Sequence, residues 1–272
     1  MLSFAANSLL CRLALGEQLT DAASFTTIRV VSGALTLVLI TLPQRRTGAQ
    51  DPTDWRAVVA LFVYMIFFSF AYISLGAATG ALILFGAVQL TMFLVALRKG
   101  ESFPFWSRIG LMIAILGIIY LVSPGVTAPD ITGAILMTIA GIAWGSYSLL
   151  GKGVSDPLVA SRNNFIWTVP LVIASSVLFL GDYRISLTGA MLAVVSGALA
   201  SGIGYALWYA ALRGLSATRA ATVQLTVPVI AAFGGIVLLS EPITTRVLIA
   251  SAATLGGVAI VLTQRARQPE IQ

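Results

Sequence analysis

Val88-Gln89-Leu90-Thr91 recurs letter for letter as Val223-Gln224-Leu225-Thr226. Each copy interrupts a long apolar run with a glutamine. An amide at membrane depth needs a hydrogen-bond partner or a water-filled cavity. The same amide in both halves points to a duplicated membrane chain with a polar site near the axis relating its copies.

The composition agrees. The chain has 272 residues, 58% hydrophobic and 10% charged, against about 25% charged in an ordinary soluble domain. Apolar runs of about 20 residues recur along it, the length of a membrane-spanning helix, whereas a barrel would show alternating segments of roughly ten. The net charge of +6 sits at segment ends, where cations orient helices, so it is no nucleic-acid signal. The single cysteine, Cys11, forms no intrachain disulfide. The chain has no histidine, which excludes a histidine-ligated metal site and a histidine proton relay.

Ten apolar segments are expected, near 1–16, 21–43, 55–77, 79–98, 105–123, 131–151, 157–180, 187–211, 216–240 and 243–263. The fold class is therefore all-α and polytopic. With the N-terminus inside, the cytoplasmic loops carry Arg45, Arg46, Arg56, Arg98, Lys99, Arg108, Lys152, Arg162, Arg213, Arg219, Arg265 and Arg267. The outer loops carry only Arg184 and Arg246. This positive-inside bias places both termini in the cytoplasm.

The halves match beyond the tetrapeptide. Ser8-Leu9-Leu10 corresponds to Ser148-Leu149-Leu150, and Leu116-Gly117 to Gly256-Gly257. Five helices per half is an odd number, so the second copy enters the membrane in the opposite sense. Residues 1–123 and 131–264 form an inverted 5+5 repeat, a plan that puts a site near the midplane at the repeat interface. On this alignment the first helix is about nine residues shorter than its counterpart. The natural chain is expected to extend upstream of Met1.

Three motifs carry a resemblance: Phe4-Ala-Ala-Asn7-Ser-Leu-Leu-Cys-Arg12, Ser24-Phe25-Thr-Thr-Ile-Arg29-Val-Val-Ser-Gly33-Ala, and the fourth and ninth segments leading to Gly100-Glu101 and Ser240-Glu241-Pro242. Over nearly its whole length the chain resembles the drug/metabolite transporter superfamily, EamA type. Within it the chain is most similar to bacterial exporters of aromatic and other neutral amino acids. The resemblance implies ten helices, the fifth and tenth peripheral and the others around a central cavity, in the cytoplasmic membrane.

Candidate site residues follow. Gln89 and Gln224 act either as glue between helices or as walls of one cavity, and their matched placement favours the cavity. Pro228, at i+4 from Gln224, frees a carbonyl beside it. Thr91 and Thr226 fall about 200° around the helix and face neighbours or their own backbone. Tyr72, Tyr205 and Trp208 suit a flat apolar substrate, or packing. Tyr64 reads as part of the cytoplasmic aromatic belt. Asn163 and Trp167 are candidate cavity residues, as is Asn7 if helix one lines the site. Gly141 and Gly145, with Trp144 and Ser148, read as a close-packing face. Arg29, about 12 Å inside helix two, meets a substrate carboxylate, or else bonds helix-end carbonyls or snorkels outward.

All acidic residues fall at expected loops or helix ends, so no membrane carboxylate offers proton coupling. The expectation is an uncoupled, monomeric carrier of neutral or aromatic amino acids, working by alternating access with small molecule and bilayer as its partners and no cofactor. Rivals are nucleosides or nucleobases, or a multidrug exporter. An intramembrane enzyme would need a nucleophile with a base, or paired acids.

Overall fold

In a computed structural model, residues 1–42, 53–98, 100, 104–151, 154–212 and 223–266 are described. They form helices α1 (Leu2–Gly16), α2 (Ala22–Thr41), α3 (Trp55–Ala71), α4 (Ala77–Arg98), α5 (Phe105–Val122), α6 (Ile131–Leu150), α7 (Pro157–Leu178), α8 (Leu187–Val195), a π-helical segment (Ser196–Ile203), α9 (Gly204–Leu212), α10 (Thr226–Leu239) and α11 (Thr245–Ala266). Six of the spans are long and apolar enough to cross a membrane, with α8, the π segment and part of α9 counting as one; α1, α3 and α10 are shorter apolar helices. The chain is a helical, multi-pass membrane protein. Among the loop cations from which the sequence analysis reads an orientation, Arg45, Arg46, Lys99, Lys152, Arg213, Arg219 and Arg267 lie outside the described residues.

The acids that the sequence places at helix ends cap them. Asp21, Asp54, Asp130 and Asp156 accept hydrogen bonds from the backbone N–H of Ser24, Arg56, Gly133, and both Leu158 and Val159. A carboxylate at an N-terminus satisfies orphan donors and meets the positive end of the helix dipole. The Gly133 N–H and the Ser74 hydroxyl hold the Asp130 carboxyl below its usual range.

Helix pairings come in reciprocal couples. α3 packs on α6, and α1 packs on α8 with its π segment. α4 packs on α6, and α1 on α10. α2 packs on α7, α4 on α10, and α5 on α11. The α5–α11 pair stands apart from the main core, with Phe93 and Ala96 of α4 joining it at Ala114, Val258, Val261 and Leu262. Its closeness rests on glycine: a Cβ on Gly257 would lie 2.4 Å from the Gly110 carbonyl, and one on Gly110 would lie 2.6 Å from the Gly257 carbonyl.

At the end of the bundle opposite the N-terminus, hydrogen bonds join the loops. Asp21 N–H donates to the Arg184 carbonyl (2.9 Å) and Ser186 N–H to the Leu19 carbonyl (2.8 Å), while the Arg184 guanidinium reaches Gln18 (2.8 Å). The Ser74 hydroxyl donates to Asp130 at 2.9 Å. Arg246 donates to the carbonyls of Leu121 and Ser123 at the end of α5.

Candidate functional site

Four helical segments meet at a buried polar chain. Asn7 of α1 is 3% exposed. Its Oδ1 accepts from Ser196 Oγ (2.8 Å) and Ser201 Oγ (3.5 Å), both on the π segment. Ser201 Oγ in turn accepts from Arg29 Nε of α2 (3.3 Å). Arg29 Nη2 donates to the Tyr64 hydroxyl of α3 (3.1 Å). The Arg29 guanidinium lies over the Phe68 ring at 4.8 Å and the Tyr64 ring at 5.6 Å, a cation–π arrangement. Arg29 is 0% exposed. It therefore neither snorkels nor bonds helix-end carbonyls, because the serine and tyrosine hydroxyls reach it first. Tyr64, read from the sequence as part of a belt, is instead buried at this junction.

Aromatic rings continue the site. Tyr64 faces Trp144 of α6 at 4.8 Å between centroids, and Trp144 stacks on Tyr147 at 5.5 Å with planes 29° apart. Trp144 also meets Tyr205 edge-on at 5.4 Å. Phe4 sits edge-on to Trp144, Tyr205 and Trp208 at about 6 Å. Rings at these separations prefer edge contacts, and the result is a box of Phe4, Tyr64, Trp144 and Tyr205. Beyond Tyr147 a cavity of about 60 Å³, lined by Thr53, Asp54, Tyr147, Asn163 and Asn164 among others, leads toward the α2–α3 and α6–α7 loops.

The sequence candidates fall in different places. Tyr205 belongs to the box and Trp208 meets its Phe4, while Asn7 ends the polar chain. Tyr72, at the end of α3, is fully buried, and its hydroxyl has no hydrogen-bond partner among the described residues. Gln89 is 1% exposed with its Nε2 unpartnered among the described residues. Gln224 does not lie mid-helix: the backbone turns at Leu225 and α10 starts at Thr226, with Pro228 in its first turn. Proline is tolerated in a first turn because that N–H lacks a partner anyway. Thr91 and Thr226 bond their own backbones, at the Ala87 and Val223 carbonyls. Trp167 is 45% exposed and packs on Trp55 at 5.1 Å on the outer surface, so it is not brought to the box. Asn163 is held by its neighbour Arg162, whose Nε and Nη2 donate to its Oδ1 at 3.1 and 2.9 Å. Asn164, one step round the helix, is the buried one and donates to the Tyr147 hydroxyl at 3.5 Å.

The far end has a polar lock. Arg12 Nε pairs with Glu241 at 2.9 Å, and Arg12 Nη1 donates to the Tyr72 and Ile73 carbonyls. The other Glu241 oxygen accepts from Ala77 N–H at the start of α4 (2.8 Å). The lock thus ties α1, the α3–α4 turn and the α10–α11 loop together, beside a cavity of about 220 Å³. Its counterpart in the sequence, Glu101, lies outside the described residues.

Comparison with known proteins gives three kinds of match. A model described as the EamA-like transporter family matches residues 131–263. An uncharacterized protein of Pseudomonas aeruginosa is 47% identical over 265 residues, covering 97% of this chain and 92% of the relative. The threonine/homoserine exporter RhtA of Salmonella typhimurium is 28% identical over 267 residues (93% and 86%). An uncharacterized transporter of Archaeoglobus fulgidus is 25% identical over 242 residues (86% of each). One solved crystal structure shares the fold, with a TM-score of 0.66 at 19% identity over 96% of both chains.

Proposed function

The chain belongs to the EamA-like transporter family, and from that premise we propose that it exports neutral or aromatic amino acids across the cytoplasmic membrane by alternating access. The observation that carries this reading is the aromatic box of Phe4, Tyr64, Trp144 and Tyr205, joined by Tyr64 to the polar chain that ends at Asn7. An amino acid has the same division: an apolar body and a polar head. The name of the Salmonella relative supports the class.

Reciprocal helix pairings and a family match confined to 131–263 support an inverted repeat of 1–123 and 131–264. In this proposal both termini are cytoplasmic and the monomer is the working unit. The stitched loops and the Arg12–Glu241 lock then close the outer end, and the cavity beyond Tyr147 is the cytoplasmic entrance. Gln89 and Gln224 contribute to walls exposed in the opposite conformation. With no carboxylate in the box, transport runs down the gradient.

Counterflow in liposomes decides the class. Purified protein should exchange radiolabelled phenylalanine, methionine or threonine saturably, and uridine hardly at all. Exchange of uridine without any amino acid overturns the reading, as does amino acid accumulation that collapses with an uncoupler for the uncoupled mechanism.

A further inference from the structure

Arg29 has more donors than the protein uses. A guanidinium carries five N–H groups. Here Nε and Nη2 are engaged, each by a neutral hydroxyl. Nη1 is buried with no partner, and no carboxylate lies within ion-pair distance of Arg29 among the described residues. Buried guanidinium groups inside membranes are ordinarily paired with an anion. Of this group's nitrogens only Nη1 is left without a partner among the described residues.

The holding is specific. Phe68 and Tyr64 cover the guanidinium with their rings. Ser201 fixes Nε, and is itself positioned because the π segment runs against α2. A Cβ on Gly197 would lie 2.1 Å from the Arg29 carbonyl, so only glycine allows that approach. Isolated π turns inside helices recur at functional sites, and this one supplies both serines of the polar chain. Tyr64 connects the cation to Trp144. The guanidinium and the aromatic rings are thereby neighbours in one buried cluster.

We propose that the Nη1 edge of Arg29 receives the carboxylate of the transported molecule, a deepening of the transport reading above that rests on it. The substrate class narrows accordingly, to molecules with one carboxylate on an apolar or aromatic body. Planar bidentate pairing with carboxylate is an arginine property that lysine reproduces only as a point charge. A site built to bond a particular group rejects analogues that lack it.

The test compares acids with their amides on the full-length purified protein. Thermal stabilisation is measured with L-phenylalanine, L-phenylalaninamide, 3-phenylpropionate and 3-phenylpropanamide. The acids should stabilise at concentrations at least about tenfold lower than the amides. Arg29→Gln should bring that ratio close to one, and Arg29→Lys should keep part of it. A purely structural arginine would change the melting temperature of the unliganded protein and leave the ratio alone. Amides that match acids, an acid preference that survives Arg29→Gln, or no stabilisation by any carboxylate each overturn the proposal. If Arg29→Gln does not fold, the wild-type acid-to-amide ratio decides by itself. The two readings fail separately: uridine exchange without amino acid exchange removes the amino acid function, whereas acid preference in stabilisation tests Arg29 whatever the physiological cargo.

Discussion

Two helix junctions of the molecule solve the same problem in opposite ways. Where α5 meets α11, the backbones touch through Gly110 and Gly257, and Ala114, Val258 and Val261 fill the seam. Small residues at a close crossing are an ordinary means of packing helices in a bilayer. Where α1, α2, α3, α6, α9 and the π segment meet, the seam holds an arginine, two serines, an asparagine and the rings of Phe4, Tyr64, Phe68, Trp144 and Tyr205. Both seams hold buried donors without a partner among the described residues, the Ser107 and Thr254 hydroxyls at the first and Arg29 Nη1 at the second, but only the second leaves a charged one. On the proposal above, the first junction is scaffold and the second receives the carboxylate of the substrate.

The largest expected break in this contrast is Arg29→Gln. Loss of charge-assisted contacts to a bound carboxylate, each worth up to about 3 kcal/mol, should lower counterflow by about 100-fold while the purified variant stays monodisperse. Tyr64→Phe removes one hydroxyl from the guanidinium and keeps the ring, so exchange should fall by about tenfold, chiefly through a weaker apparent affinity. Glu241→Gln loosens the far-end lock. The effect should be a few-fold change in exchange, with faster thiol labelling of Thr79→Cys beside that cavity in a Cys11→Ser background; unchanged labelling removes the lock from the cycle.

The scaffold side predicts the reverse pattern. Gly257→Ala forces a Cβ against Gly110 and should destabilise by about 1–3 kcal/mol, the usual range for overpacking, seen as a lower melting temperature with acid-to-amide selectivity intact. Trp167→Ala, on the outer face, should leave exchange within about twofold. A large transport defect in either variant erases the distinction between the junctions.

How much of this the sequence carried can be judged residue by residue. Asn7 was offered on the condition that helix one lines the site, and the structure buries it against Ser196 and Ser201. Tyr205 was legible from its stripe of aromatics. On α7 the sequence offered Asn163 and Trp167; Asn163 lines the cavity beyond Tyr147, while 100° around the helix separates exposed Trp167 from the buried Asn164 and Thr168. Trp144 was masked by Gly141 and Gly145. Those glycines do pack on α4, but Trp144 leaves the same helix in another direction. Arg29 and Tyr64 were unreadable individually, since whether a buried cation finds an anion depends on a neighbour far along the chain; here that neighbour is Ser201. The π-helical geometry that brings Ser196 and Ser201 to the site has no signature in residue spacing. Gln224 was placed by repetition alone, and the helix break at Leu225 made its surroundings differ from those of Gln89.

The most direct measurement is a structure of the full chain in a lipid nanodisc with 4-bromo-L-phenylalanine bound. The account predicts the ligand carboxylate at hydrogen-bond distance from Arg29 Nη1, about 2.7–2.9 Å for such a pair, with the brominated ring against Trp144. A ligand bound elsewhere, with Arg29 still contacting only Ser201 and Tyr64, would contradict it.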